Sequence, residues 1–424
     1  MKKNIYNNSL QFSKKVDSND KLFNLKDKFH FPIINGSRSS LYFCGNSLGL
    51  QPKETKKDIL QEIDDWKNLA VEGHFKAKKS WFNYHSYLCE ASSKIVGCKY
   101  EETVIMNSLT VNLHLLMVSF YKPNKKKKKI LIEENAFPSD FYAVKSQLKF
   151  HNNDPVNDLI IVRKDKNHLF STEKIINTIE RNKDQIAMIL LGGVNYLTGQ
   201  LLDLKKITTV AKENGCIIGL DLAHAAGNVN LKLHSWGVDF AAWCGYKYLN
   251  GGPGAPSGIF INSIYHQNSD LKRFEGWWGH DKTSRFELQS HFKPMVSAEA
   301  WQLSNPPIFS MAALLSSLNI FNSVGMKNLL DKSNQLTSYL EYLLIDSLSD
   351  QITIISPKRK NERGCQLSIK FKNFNKDIVK LLYKEKIICD YRKPNILRIA
   401  PVPLYNSFED CYHLVKTLKK ILVK

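Results

Sequence analysis

The chain has 424 residues, of which 43% are hydrophobic and 24% are charged, and this composition is typical of a soluble globular protein long enough for two domains. The N-terminal segment lacks the apolar centre of a signal peptide, and no run approaches membrane-spanning length, so we expect a cytoplasmic protein that does not enter a membrane. A formal net charge of +20 raises the possibility of a nucleic-acid ligand.

The strongest basic feature is the uninterrupted lysine run at residues 125–129. It follows Pro123 and Asn124 and precedes a strand-like segment, which fits an exposed loop, and aromatic residues do not alternate with the basic ones as they do in stacking platforms. We therefore interpret the charge as a solvated surface and expect no nucleic-acid partner. The eight cysteines form no CxxC pair, which favours buried, reduced thiols.

Residues 1–40 are polar and predict an arm with one or two short helices. A short strand then breaks into a Gly-Asn-Ser loop, and a helix is predicted from about residue 53 to 69. His74 follows Gly73, and the sequence around it is typical of a surface turn.

Apolar runs recur at regular intervals from residue 103 onward, most of them separated by helix-like segments. Leu113, Leu116, Met117 and Phe120 have helical spacing, and Asp203 is placed to cap a further helix. Alternation of this kind predicts an α/β fold with a doubly wound, mostly parallel sheet of seven strands. The predicted strands are residues 103–106, 130–132, 159–162, 186–191, 216–220, 238–243 and 258–261.

The pattern changes after about residue 309 and predicts a smaller α+β domain. We expect a helix at 310–345, strands near 352–355, 366–371 and 387–390, and a helix at 375–385. Ser407 and Asp410 form a capping-box pattern before a last helix. The predicted division is an N-terminal arm and helix packed on the small domain (1–62), a large cofactor-binding domain (63–309) and a small C-terminal domain (310–424).

The most informative stretch runs from residue 217 to 250. One apolar run ends at Asp221, and the next is followed by Tyr246, Lys247 and a glycine-rich turn. Ligands of open α/β sheets sit at the carboxyl ends of strands, where Asp221 falls. A lysine that forms an imine and a carboxylate that keeps a pyridine nitrogen protonated are what pyridoxal phosphate (PLP) requires.

Three other predicted loops lie on the same rim of the sheet. Ser108 and Thr110 begin a helix, where they serve either as an ordinary cap or as a phosphate site. Phe137 is either a core residue or a ring stacked on a flat cofactor, and Ser139 or Asp140 is a candidate helix cap. The sequence has no GxxxxGK, no GxGxxG after a strand, no zinc spacing and no GxSxG, so we expect no nucleotide, metal or serine-nucleophile site.

The motifs together resemble the kynureninase family, which is a group of fold-type-I PLP enzymes in the class-V aminotransferase superfamily. The resemblance runs from about residue 41 to the C-terminus. It rests on YFCGNSLGLQPK, MNSLTVNLHLLM, AFPSD, TGQ, DLAHAAGN, WGVDFA, YKYLN, WWGH, SNPPI and RIAPVPLYNSF. It implies hydrolytic cleavage of L-kynurenine or 3-hydroxykynurenine, an aryl amino-ketone amino acid, to an anthranilate and L-alanine, a step of tryptophan catabolism and NAD biosynthesis.

The same resemblance implies roles for individual residues. Lys247 would be the Schiff-base lysine, Asp221 the partner of the pyridine nitrogen, and Phe137 the stacked ring. The implied further cofactor contacts are Leu109, Thr110, Pro138, Ser139, Asp140, His224, Tyr246, and Trp277 and Asn305 from a neighbouring subunit of a homodimer with shared active sites. The implied substrate contacts are Ser47, His74, Ser304 and Asn305 around the aryl end and Arg398 at the α-carboxylate.

Three positions depart from the family pattern. Leu197 stands where a tyrosine directly before TGQ is common, with Tyr196 one step earlier, and Gly192 and Gly245 stand where serines are common. We expect these changes to remove hydroxyl groups from the phosphate side and to weaken cofactor binding by about 1 kcal/mol for each neutral hydrogen bond lost.

Two enzyme alternatives and one non-enzyme alternative stay open on sequence. A cysteine desulfurase needs a reactive cysteine, for which Cys365 is the candidate although it heads a predicted strand. A class-V aminotransferase needs a second, oxo-acid substrate, which the sequence does not exclude. A weakened family member with a binding role is supported by Leu197.

Overall fold

The computed structural model describes residues 6–36, 40–374 and 376–422 of the protein. Its strands are β1 (Phe29–His30), β2 (Leu41–Tyr42), β3 (Gln51–Pro52), β4 (Thr103–Met106), β5 (Lys129–Glu133), β6 (Leu159–Val162), β7 (Ile186–Gly192), β8 (Ile217–Asp221), β9 (Phe240–Trp243), β10 (Ser257–Ile261), β11 (Ile352–Ile354), β12 (Leu367–Phe371), β13 (Ile387–Ile388), β14 (Asp390–Arg392) and β15 (Ile396–Ile399).

The α-helices alternate with these strands. They are α1 (Leu10–Ser18), α2 (Thr55–Leu69), α3 (Gly73–Lys76), α4 (Tyr84–Val96), α5 (Leu109–Phe120), α6 (Pro138–Phe150), α7 (Thr172–Asn182), α8 (Leu204–Glu213), α9 (Leu233–Trp236), α10 (Ile308–Val324), α11 (Met326–Leu348), α12 (Ile378–Lys384) and α13 (Phe408–Leu422).

The central element is a seven-stranded sheet with the order β4-β10-β9-β8-β7-β5-β6. Strands β9, β8, β7, β5 and β6 are parallel, and β10 runs antiparallel to both β4 and β9. Its strands are the seven apolar runs predicted from the sequence, and apolar clusters cover both of its faces. The prediction of a doubly wound, mostly parallel α/β sheet is confirmed.

The C-terminal part forms a second sheet of four antiparallel strands, in the order β11-β12-β15-β14. Helices α11 and α13 pack on it around a separate apolar cluster. The prediction of one helix at 310–345 is wrong, because Gly325 (φ +78°) ends α10 and α11 continues at an angle of 86°. The predicted strand 387–390 is also wrong, since β13 pairs with β2 and β14 joins the four-stranded sheet.

Side chains cap the helix in two of the four places where the sequence suggests a cap, and Ser108 at the start of α5 makes no such bond. Asp203 accepts from the Lys206 N–H at 3.1 Å, and Ser407 and Asp410 exchange side-chain bonds with each other's backbone N–H groups. Neither Ser139 nor Asp140 caps α6, which begins with Phe137 as the cap and a proline in its first turn. The first residue of the predicted helix 375–385 lies outside the described residues, and the helix there is α12.

The N-terminal elements touch both parts of the molecule. Helix α1 packs on α13, β2 pairs with β13, and α2 packs along α10. Helix α2 crosses the predicted boundary at residue 62, and we keep the division at residues 62 and 309 as a proposal. In the described part of the chain, no single helix is both long and apolar enough to cross a membrane, although the bent pair α10 and α11 has the required combined length and composition.

Candidate active site

A buried cavity lies at the carboxyl ends of the parallel strands. Strand β4 leads into the start of α5, β5 ends at Glu133, β7 ends at Gly192, and β8 ends at Asp221. The loop after β9 adds Lys247. The volume of the cavity is about 160 Å³. Its lining is Ser108, Leu109, Thr110, Glu133, Phe137, Ser139, Asp140, Gly192, Val194, Asn195, Tyr196, Asp221, Ala223, His224, Tyr246 and Lys247.

Lys247 and Asp221 face the same cavity, and both side chains are buried. The Lys247 Nζ atom lies 3.1 Å from Nε2 of His224 and 5.6 Å from the centre of the Phe137 ring. One oxygen of Asp221 accepts the Ala223 N–H at 2.7 Å, which fixes the carboxylate at the end of β8. The arrangement places an amine, a carboxylate and an aromatic face around one small volume.

The charges around this volume shift the protonation of its neighbours. Burial, together with the positive charges of Lys247 and Arg398, holds the pKa of His224 well below its usual value, so its imidazole is neutral. Burial and the nearby charge of Asp221 raise the pKa of Asp140 well above its usual value. Burial also raises the pKa of Glu133 to about 7, although the Gly192 N–H donates to it.

Several polar groups in the cavity fit PLP. Among the described residues, Oδ1 of Asp140 and Nδ1 of His224 are buried without a hydrogen-bond partner. Helix α5 begins at the cavity with no side-chain bond from its cap residue Ser108, so its first N–H groups are available to a phosphate. An anion site, a buried carboxylate and an amine next to an aromatic ring match the phosphate, ring nitrogen and aldehyde of that cofactor.

Other residues assigned by resemblance lie beside the cavity or away from it. Pro138 is exposed in the first turn of α6. Arg398 is buried and donates to the Tyr196 carbonyl at 2.8 Å and to Ser47 at 3.0 Å, so this pair adjoins the cavity through Tyr196. The cavity lining of this chain does not include His74, Trp277, Ser304 or Asn305.

Three of these four side chains are exposed to solvent. Trp277 is 48% exposed and Ser304 and Asn305 are exposed. His74 is half-buried in the short helix α3 rather than in a turn, and its ring contacts the edge of Trp81. None of these four side chains lines the cavity of its own chain.

Sequence reasoning assigned no role to Glu133 in the cavity. It directly follows the predicted strand 130–132, on the rim of the sheet that also carries Asp221, and this position was the available signal. Tyr196 directly precedes Leu197, one of the positions that depart from the family pattern. It lines the cavity, with its ring edge-on to that of Phe137 and 5.4 Å between the ring centres.

The three residues that depart from the family pattern differ in their surroundings and in whether they line the cavity. A Cβ atom at Gly192 would lie 2.8 Å from Oε1 of Glu133, so any side chain there requires the Glu133 carboxylate to shift. Gly245 lies outside the cavity lining, and a Cβ atom there would overlap the Pro256 carbonyl oxygen. The expectation that Gly245 removes a hydroxyl group from the phosphate side is therefore wrong. Leu197 also lies outside the lining, and its carbonyl accepts from Ser368 at 2.6 Å.

Comparison with known proteins shows where the chain belongs. Residues 329–418 match the family model described as the kynureninase C-terminal domain. A protein of Christiangramia forsetii named kynureninase is 48% identical over 98% of both chains. The chain belongs to the kynureninase family. A kynureninase of Nematostella vectensis is 41% identical over 97% of this chain and 93% of its own length.

Solved structures share the fold at low identity. A cysteine desulfurase of Thermococcus onnurineus has a TM-score of 0.75 at 15% identity and covers 92% of this chain and 96% of its own. The Escherichia coli cysteine desulfurase CsdA has a TM-score of 0.76 at 15% identity, covering 95% and 98%. These matches place the kynureninase-family chain in the fold-type-I class and carry no statement about its substrate.

Proposed function

We propose that the protein is a kynureninase that cleaves the Cβ–Cγ bond of L-kynurenine, 3-hydroxy-L-kynurenine or both with water, releasing an anthranilate and L-alanine. The observation that carries the proposal is the cavity in which Lys247, Asp221 and Phe137 meet, in a chain whose relatives named kynureninase match almost its full length. This activity belongs to tryptophan catabolism and NAD biosynthesis. A cytoplasmic location fits the eight free cysteines.

PLP is the proposed cofactor. Lys247 would hold its aldehyde carbon, Asp221 its ring nitrogen and Phe137 one face of its ring. Bound there, it supplies an electron sink that stabilises negative charge next to the substrate amine. The phosphate would bind the first turn of α5 and the Tyr246 hydroxyl. The proposed set of contacts is Leu109, Thr110, Phe137, Pro138, Ser139, Asp140, Asp221, His224, Tyr246 and Lys247.

Lys247 is also the proposed base. A freed Lys247 amine would take the proton from Cα of the substrate, and His224, whose Nε2 lies 3.1 Å from this amine, is held neutral by its lowered pKa and adds no competing positive charge. Asp221 keeps a proton on the ring nitrogen by supplying a fixed negative charge. The same lysine, or a group near it, returns protons to the fragment that becomes alanine.

Substrate binding divides into a charged end and an aryl end. Arg398 is a planar two-pronged donor suited to the α-carboxylate, and Ser47 lies next to it. His74, Ser304 and Asn305 offer hydrogen-bonding groups for the aryl amino-ketone. Water adds to the γ-carbonyl, the Cβ–Cγ bond breaks, the aryl carboxylate leaves as an anthranilate, and protonation at Cβ gives L-alanine.

The active site is proposed to be shared between two subunits of a homodimer. Trp277 and Asn305 are exposed, and the large apolar side chains of Phe75, Phe286 and Leu288 are more than half exposed on the surface. An exposed apolar surface of this kind is typical of an interface. A second subunit that covered this surface would bring Trp277 and Asn305 of the first subunit towards the cavity of the second.

The proposal is tested with purified protein loaded with PLP. We expect a yellow protein, covalent fixation of the cofactor to Lys247 by borohydride, and anthranilate fluorescence on addition of L-kynurenine. Lys247→Ala should abolish fixation and reduce turnover by roughly a thousandfold or more. A coloured protein that yields no anthranilate would disprove the kynureninase proposal and leave PLP binding intact. Parallel assays with 3-hydroxykynurenine establish the preferred substrate.

A further inference from the structure

Arg398, which we propose binds the α-carboxylate of the substrate, already pairs with a carboxylate of the protein, that of Asp390. Asp390 pairs with Arg398 through both of its oxygens: Oδ1 accepts a hydrogen bond from Nε at 3.1 Å, and Oδ2 lies 2.6 Å from Nη2 in an ion pair. This is the two-pronged geometry with which an arginine binds the α-carboxylate of an amino acid. The Arg398 side chain is 1% exposed and that of Asp390 is 14% exposed, so the arginine is buried and the carboxylate is reached by water only in part.

The terminal nitrogens of Arg398 also have partners. Nη1 donates to the Tyr196 carbonyl and Nη2 donates to the Ser47 hydroxyl, which in turn donates to Asp390 at 2.5 Å. A guanidinium group has five N–H donors, and three of those of Arg398 donate hydrogen bonds, while Nη2 is also in ion-pair contact with Oδ2 of Asp390. A substrate carboxylate therefore gains two-pronged contact with Arg398 when an existing acceptor gives way.

Asp390 is the acceptor best able to give way. The Tyr196 carbonyl belongs to the backbone, whereas Asp390 has a second cation beside it, with its Oδ1 3.2 Å from Nε of Arg392. The Arg392 side chain is 41% exposed, so it lies towards solvent relative to Arg398. Burial acts to raise the pKa of Asp390, but the bonds and charge of Arg398, with Ser47 and Arg392, outweigh it and keep the pKa below its usual value. Asp390 is thus an anion in contact with two cations at once, and Arg392 remains beside it if its contact with Arg398 is lost.

We propose that Asp390 competes with the substrate for Arg398. Asp390 pairs with Nε and Nη2 of Arg398 until the α-carboxylate of an amino acid displaces it, and Asp390 then remains paired with Arg392. The inference rests on the proposed function only for the assignment of Arg398 to the carboxylate. The exchange replaces one anion by another, so the buried guanidinium keeps a counter-charge throughout, and a buried charge without a partner is avoided. Asp390 also favours release of L-alanine, because it competes with the carboxylate of the product for Arg398.

Asp390→Asn tests the competition because it keeps the shape of the side chain and removes its charge. The ligands are L-alanine and L-alaninamide, titrated into the PLP-loaded protein and followed by the absorption of the bound cofactor. We expect the dissociation constant of L-alanine to fall about tenfold, and that of the amide, which has no carboxylate, to stay within about twofold. Equal changes for both ligands, or weaker binding of L-alanine, would overturn the proposal.

A second variant covers the case in which Asp390→Asn does not fold. Arg392→Gln removes the alternative partner of Asp390 from a half-exposed position, and we expect L-alanine to bind about fivefold more weakly with the amide unaffected. The matched control is Arg359→Gln, since Arg359 is exposed and forms its ion pair with Glu362. Unchanged L-alanine binding in Arg392→Gln would contradict the exchange.

The titration also separates this inference from the proposed function. It measures binding of a simple amino acid and needs no turnover of kynurenine. A wild-type protein that fails to produce anthranilate removes the proposed function, while the ratio of the two dissociation constants in Asp390→Asn still decides whether Asp390 competes for Arg398.

Discussion

The N–H group of Gly192, at the end of β7, donates to the carboxylate of Glu133, at the end of β5, with distances of 3.1 and 3.3 Å to its two oxygens. A side chain at residue 192 would occupy the space of that carboxylate. The pair therefore places a third acid in the cavity next to Asp140 and Asp221, where sequence reasoning expected a lost hydroxyl group.

Glu133→Gln should change how stability depends on pH. Burial raises the pKa of Glu133 from 4.5 to about 7. Between these values the folded protein keeps a proton that the unfolded chain has released, so stability falls as the pH rises through this window and stays lower above it. For cofactor-free wild type we expect a loss of about 2 kcal/mol between about pH 5.5 and about pH 8 from this group.

Urea unfolding at fixed protein concentration measures the effect. The free energy of unfolding of Glu133→Gln should lack this part of the decline, because an amide does not titrate. The exposed Glu180→Gln is the matched control and should follow wild type. Identical pH profiles for wild type and Glu133→Gln would show that Glu133 is ionised throughout.

Serine substitutions at the two glycine departures should have unequal costs. In Gly245→Ser the new Cβ overlaps a backbone carbonyl, that of Pro256, and we expect a loss of about 2 kcal/mol or more. In Gly192→Ser the nearest atom is the end of the flexible Glu133 side chain, which can move, so the loss should be smaller. Thermal unfolding of both variants checks the order, and a more stable Gly245→Ser would refute the packing argument.

Cys365 should be inert, which separates the proposed activity from that of a desulfurase. The thiol is buried, and burial raises its pKa to about 12, so almost no thiolate is available for attack. Cys365→Ala should cleave kynurenine at a rate within about threefold of wild type, since no step of the proposed chemistry uses a thiol. Release of sulfide from L-cysteine that depends on Cys365 would reverse this assignment.

The sheet was predictable from the sequence because its strands are buried on both faces. A strand such as β7 is a continuous apolar run, and a chain that alternates such runs with helices has few arrangements open to it. The break between α10 and α11 was missed because both helices are rich in apolar residues, and the one signal was Gly325.

The residues of the site were predictable from the sequence where the chemistry restricts the residue type. Contacts that depend on packing between distant parts of the chain were not. Lys247 and Asp221 were assigned because few cofactors need an amine and an acid at these positions. The pairing of Asp390 with Arg398 joins two positions in neighbouring strands, β14 and β15, and depends on their register, which the local sequence does not specify. The position of Gly245 under Pro256 likewise follows from packing between loops.

Complementation between inactive subunits should show whether the active site is shared. Lys247→Ala lacks the amine of its own cavity, and Asn305→Ala lacks a side chain that we propose serves the neighbouring cavity. In a mixed dimer, one cavity then combines the intact Lys247 of one chain with the intact Asn305 of the other. We expect each variant alone to be weak, and an equal mixture, unfolded and refolded together, to recover up to about a quarter of wild-type activity.

The controls distinguish sharing from a mixture of weak enzymes. The two variants refolded separately and then combined should show no more than the average of their own activities. A mixture of Lys247→Ala with Asp221→Ala should not recover, because both residues line one cavity of the same chain and no mixed dimer has a complete site. No recovery in the first mixture would mean that Asn305 acts within its own chain. Recovery in the second mixture would mean that Lys247 and Asp221 of one chain do not serve the same active site.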